Sequence, residues 1–273
     1  MRYLVLGMMV IILIGSCKKE EPVDIKTLEQ PVEEVAQKRI LIEAFTNVTC
    51  GACPLAHHAI EEIESENENV FHITHYLRGP MNHPYTQYVR DNVKSVSFTP
   101  QAIIQRFSDN GSVQHFGPEE YASIAEQELS MEPELDLKVT ANINGAELSL
   151  TSRMEYIGSK DVDELRLTAM IVDKVVVGDD FDYHQRNYGN EDPNHPYFGE
   201  GDYIIGFEHT NVLHSVITPL QGEMVVLVDN QANLDLETNL DGLNIEEYAV
   251  IVMVSHTHKQ DILNAFYLDL ADL

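Results

Sequence analysis

The 273-residue chain is 44% hydrophobic and carries a formal net charge of −28. That is the composition of a globular protein with room for two domains of ordinary size. A surface this acidic repels phosphate backbones, so nucleic acid is excluded as a partner, and the charge is read as solubility outside the cell.

The chain opens with Arg2, a nearly unbroken apolar run over residues 4–14, and the small residues Gly15 and Ser16. A basic start, a short apolar core and a small-residue end make a secretory signal. The run is too short to span a bilayer as a finished helix. It leads into Cys17, and the string LIGSC resembles the lipobox of bacterial lipoproteins. That resemblance implies cleavage before Cys17 and several acyl chains on its sulfur and new amine, enough for stable anchoring. Lys18-Lys19-Glu20-Glu21 resembles the export signal of Bacteroidota surface lipoproteins. From there to Gln37 the chain is polar and acidic, with Pro22 and Pro31, and reads as a flexible tether over 18–37.

With Cys17 assigned to lipid, Cys50 and Cys53 are the remaining thiols. A lone Cys-x-x-Cys is no disulfide framework. A structural zinc site wants a second pair at ligand spacing, so no metal is expected, and no cofactor. Residues 39–45 (RILIEAF) suit a buried strand, and residues 54–64 (PLAHHAIEEIE) place Leu55, Ala59, Ile60 and Ile63 at helical spacing behind Pro54. The pair therefore sits where a strand hands over to a helix. Cys50 at the helix start is favoured as a thiolate, and Cys53 one turn on is placed to attack a mixed disulfide formed on Cys50. His57 and His58 follow by one turn and are read as helix-surface residues, the alternatives being that one stabilises the Cys50 thiolate or binds copper or zinc with the cysteines.

Strand, Cys-x-x-Cys-Pro and helix resemble the thioredoxin superfamily. Residues 69–77 (NVFHITHYL) suit the second strand, with His72 and His75 on opposite faces. Residues 93–104 match the loop and strand that carry a cis-proline, which would be Thr99-Pro100. The resemblance implies that Thr99 and Pro100 stand beside the sulfurs, where exposed backbone pairs with an extended substrate. It also offers Glu43 as a buried acid serving Cys53, if one residue is inserted before Cys50; an exposed strand-edge glutamate fits the pattern equally. No tryptophan precedes Cys50, and the dipeptide Gly51-Ala52 leaves the direction of electron flow open.

From about 108 to 128 the pattern returns to helix, with Pro118 and Glu119-Glu120 opening a segment through Tyr121, Ile124 and Leu129 that closes a thioredoxin-like domain at 38–132. From 133 to 273 the pattern turns β. Residues 135–143 alternate, Asn144-Gly145 makes a hairpin turn into 146–157, and strands are expected at 164–177, 211–218, 223–229, 248–256 and 262–270. About seven strands without helices predict an immunoglobulin-like sandwich. The fold class is thus an α/β thioredoxin-like domain followed by an all-β, immunoglobulin-like domain. Residues 178–210 form a long loop rich in Asp, Asn, Gly, His and Tyr. Its acids (Asp179, Asp180, Asp182, Glu191, Asp192) offer calcium ligands without the spacing of a calcium loop, so a plain loop, a partner contact or a cover over the redox site is preferred.

The lipobox, the tether, EAFTNVTCGACP, SFTP and a β-rich end together resemble the twenty-eight-kilodalton outer-membrane lipoproteins of Bacteroidota. The expected function is a membrane-anchored thiol–disulfide oxidoreductase of the outer membrane, working on thiols or disulfides of exported proteins. Its catalytic residues would be Cys50, Cys53, Pro100 and Glu43, with Thr99 and Pro100 binding substrate. The alternative is a non-enzymatic cell-surface binding lipoprotein on the same scaffold.

Overall fold

The computed structural model describes residues 35–273 apart from 110–111, 160–161 and 163. The signal, Cys17 and the tether up to residue 34 lie outside the described residues.

β1 (Ile40–Thr46) is apolar without alternation because both its faces are covered. Ile40 and Ile42 pack under α1 (Cys53–Glu66) and α3 (Tyr121–Leu129), whereas Leu41 and Phe45 meet α2 (Pro84–Asn92) on the other face. β2 (Val70–Tyr76) runs parallel to β1, and β3 (Gln101–Ile104) runs antiparallel to it, pairing Phe45 with Gln101. This β1–α1–β2–α2–β3–α3 order is the thioredoxin-like arrangement. The segment 108–128 is helical from Pro118 as expected, and differs only before it. A small hairpin of β4 (Ser108–Asp109) and β5 (Ser112–Val113) comes first, and the helix begins only at Tyr121 behind a 3-10 turn at Pro118–Glu120.

β6 (Leu135–Asn144) and β7 (Glu147–Tyr156) form the expected hairpin, with Gly145 at φ +64° in its two-residue turn. β8 (Leu165–Val176), the short β9 (Gln185–Arg186) and β10 (Tyr203–Ile204), β11 (His209–Val216), β12 (Glu223–Val225), β13 (Gln231–Asn239), β14 (Tyr248–His256) and β15 (Ile262–Asp269) follow. They do not close a separate sandwich. One sheet runs β15-β14-β8-β11-β2-β1-β3, so the boundary expected at 132/133 is bridged where Val212 of β11 pairs with Thr74 of β2.

The reason is in the side chains. Every residue of β14 is buried, and β8 is apolar through its middle, so both are strands covered on two faces rather than half-exposed sandwich strands. One face of β8 and β14 (Leu167, Ile171, Val250, Val252) packs on Leu137, Leu148 and Leu150 of the separate β13-β7-β6 sheet. The other face (Met170, Val172, Ile251, Met253) shares a core with Phe45, Ile73 and Tyr85. Residues 36–273 accordingly form one compact unit. No helix among the described residues is long and apolar enough to cross a membrane.

Candidate redox site

Cys50 and Cys53 are joined in a disulfide between β1 and α1. Two successive turns build the link: the Cys50 N–H donates to the Asn47 carbonyl (3.0 Å) and the Cys53 N–H to the Cys50 carbonyl (3.2 Å). Ala52 is the N-cap, so Cys53 is the first helical residue, and Pro54 follows where its missing N–H leaves nothing unpaired. Cys50 therefore stands just ahead of the helix rather than at its first residue. It is half-buried, while Cys53 is 3% exposed. The N-terminal, positive end of the α1 dipole faces this turn.

The Thr99–Pro100 bond is cis. Cys53 and Pro100 line one narrow cavity of about 20 Å³, together with His57, Thr74, Tyr76 and Gln185. Such a space suits about one water molecule. Thr99 and Pro100 are both half-buried.

Glu43 is not part of this cavity. Side chains alternate across a strand, and Glu43 shares its face with Leu41 and Phe45, away from α1. There it is fully buried and accepts two hydrogen bonds from Arg106, from Nε (2.8 Å) and Nη2 (3.0 Å). Arg106 Nη2 also donates to the Tyr85 hydroxyl (3.0 Å), and His75 Nε2 lies 3.6 Å from Glu43 Oε1. Burial opposes the carboxylate charge, but the Arg106 guanidinium outweighs it and brings the carboxyl down to about 2. A group so fixed in its ionised form is unsuited to relaying protons near neutrality. Ala44, on the other face of β1, lines the cavity beside Cys53 instead.

The loop between β8 and β11 covers one side of the cysteine turn, a role the sequence admitted without deciding. The Arg186 N–H donates to the Val48 carbonyl (2.8 Å) and the Tyr188 N–H to the Gly51 carbonyl (2.8 Å). The buried Gln185 side chain donates to the Cys50 carbonyl (2.8 Å). Gly51 is needed at its position because a Cβ there would lie 2.3 Å from the Tyr188 ring. The loop is rooted at His209. Its Nε2 faces the Tyr183 carbonyl (2.8 Å), so that nitrogen carries the proton and Nδ1 accepts from the Tyr76 hydroxyl. Among the described residues no group of three or more His, Cys, Asp or Glu side chains is placed to hold a metal, and Asp179, Asp180, Asp182, Glu191 and Asp192 belong to none.

A histidine network, not assembled by the sequence reading, runs from the cavity outward. His57 Nε2 lies 3.0 Å from Glu61 Oε1 and 3.5 Å from the Thr210 hydroxyl. That hydroxyl is 3.1 Å from His72 Nε2, whose Nδ1 is 2.6 Å from Glu64 Oε1. Burial opposes charge on His72, but the Glu64 carboxylate outweighs it and raises the pKa. The hydrogen bond to His57 holds the Glu61 carboxyl below its ordinary range. His75 lies on the opposite face of β2, stacked on Phe45, as the strand period requires.

Two solved structures are similar to this chain. HBP35 of Porphyromonas gingivalis superposes with a TM-score of 0.67 at 18% identity, covering 86% of this chain and 76% of that one, a likeness of fold. A domain of the outer membrane lipoprotein Omp28 from Porphyromonas gingivalis covers 50% of this chain and 88% of its own at 9% identity, with a TM-score of 0.32. No family model and no curated protein matches the chain.

Proposed function

We propose that the protein is a membrane-anchored thiol–disulfide oxidoreductase acting on exported proteins through Cys50-Gly51-Ala52-Cys53. The observation that carries this reading is the pairing of a half-buried Cys50 with a buried Cys53 whose cavity is walled by Pro100. In the reaction a substrate thiolate attacks Cys50 Sγ, the Cys50–Cys53 bond breaks, and a mixed disulfide forms while Cys53 leaves with the electron pair. A second substrate thiol then displaces Cys50, so the substrate is oxidised and the protein pair reduced; the reverse sequence reduces a substrate disulfide. Thr99 and Pro100 would hold the substrate segment beside the sulfurs. The anchor is Cys17, and the outer membrane is the proposed location, on the strength of the LIGSC string and the residues behind it.

The experiment is covalent trapping in the native envelope. A Cys53→Ser variant retains the attacking thiol without the resolving one, so it should accumulate reducible adducts with exported proteins that a Cys50→Ser variant lacks. Equal, background-level adducts in both variants would overturn the reading. The surface-binding alternative draws on the exposed apolar residues of the covering loop, Tyr188, Phe198 and Ile205, and predicts that background result.

A further inference from the structure

A buried thiol that must lose and regain a proton needs a partner able to carry it. Cys53 is buried, and the acid the sequence offered for this task points to the far side of the sheet in a closed ion pair. Among the ionisable side chains on the cavity wall, His57 is the one with access elsewhere. It also lines a separate open cleft with Glu61, Tyr197, Glu200 and Glu208, so the ring stands between the cavity at Cys53 and solvent. Phe207 lines both spaces beside the ring.

We infer that His57 is the proton carrier of Cys53, passing the proton between the inner cavity and the acidic cleft, with Glu61 orienting the ring. This rests on the redox reading above. His57 stands one helical turn after Cys53, which puts both on the same side of α1. With Nε2–H directed at the Glu61 carboxylate, Nδ1 is left as the nitrogen that takes a proton. When Cys53 resolves a mixed disulfide, its S–H proton passes to His57 and the thiolate attacks Cys50 Sγ. The bond from Cys50 to the substrate sulfur breaks, and the substrate leaves as a thiolate that solvent protonates. The proton on His57 then exits through the cleft. In the opposite direction His57 supplies the proton that Cys53 takes up as it leaves the disulfide.

Titratable groups face the His57 ring from each element packed against it. Glu61 faces the ring from its own helix and His72, paired with Glu64, from β2. His209 approaches from β11, and Tyr197, Glu200 and Glu208 line the cleft beside the ring.

The test separates the two redox steps. The reduced full chain is mixed with oxidised glutathione from pH 5 to 9 and quenched in acid, and the Cys50–glutathione mixed disulfide is followed as it forms and is resolved. A His57→Ala variant should form the mixed disulfide at the wild-type rate but resolve it about a hundredfold more slowly near neutrality, approaching wild type as pH rises enough to ionise Cys53 directly. Glu61→Gln, a milder change at a half-exposed position, should slow the same step in the same direction. Resolution in both variants at the wild-type rate and with the wild-type pH profile would overturn the role of His57. Absence of any mixed disulfide on wild-type Cys50 would instead overturn the redox reading on which it rests.

Discussion

Replacing Arg106 with Met should destabilise the protein by about 3–5 kcal/mol at neutral pH, because it leaves the fully buried Glu43 carboxylate without its counter-charge. The guanidinium grips both carboxylate oxygens and is fixed from the other side by the Tyr85 hydroxyl. It reaches them from a backbone turn in which Gln105 and Arg106 both hold positive φ, 48° and 49°, a conformation that non-glycine residues seldom keep without tertiary support. The sign of the pH effect is diagnostic. Without Arg106 the folded-state pKa of Glu43 rises above its unfolded value, so the deficit shrinks as pH falls and the carboxyl is neutralised. Urea unfolding of Arg106→Met against the double variant Glu43→Leu/Arg106→Met checks this, since the double change should recover most of the loss. A single variant as stable as wild type would show that the pair is dispensable.

Wild-type stability should fall by about 3 kcal/mol between pH 6.5 and pH 4 through His209 alone. Burial, with a smaller repulsion from His57, lowers the His209 pKa to about 4 against the Tyr183 hydrogen bond that raises it. A histidine depressed in the folded state binds its proton first in the unfolded chain. Stability is therefore complete above pH 6.5 and lost as pH falls towards 4. Glu43, depressed to about 2, contributes its loss below pH 4.5, and His72, raised, contributes stability that is lost only as pH climbs above 6.5. The three windows barely overlap. Unfolding free energies of wild type and His209→Asn at pH 7 and pH 4.5 should differ in slope; equal slopes would refute the assignment. His209 binds Tyr183 and Tyr76, so the titrating group sits at the root of the loop that lies on the cysteine turn.

The residues around the cysteines were legible because their signals are local. Pro54 fixes a helix start, RILIEAF fixes a buried strand, and Thr99-Pro100 stands at a readable distance. Glu43 was misplaced because a single-residue shift on a strand exchanges its faces, and the loop length before Cys50 does not reveal the register. The short helix α2 was missed although His83 accepts from the Tyr85 N–H as a cap and Pro84 follows it, both signs of a helix start. β13 was missed too, although Ala232, Leu234 and Leu236 alternate along it. The immunoglobulin-like expectation counted strands without weighing their coverage. YAVIVMVSH has no solvent face to offer, and strands of that kind extend an existing sheet. Contacts such as Gln185 on Cys50 and Thr210 on His72 link residues more than a hundred positions apart, which no local period encodes.

On the redox reading, Cys50 and Cys53 form a working couple rather than a fixed crosslink. The direct measurement is the reduction potential of the pair in the full chain, by equilibration in glutathione and dithiothreitol buffers. A working couple should lie above about −300 mV, within reach of protein thiols, whereas a value well below that would mark a structural disulfide and rule out the redox reading.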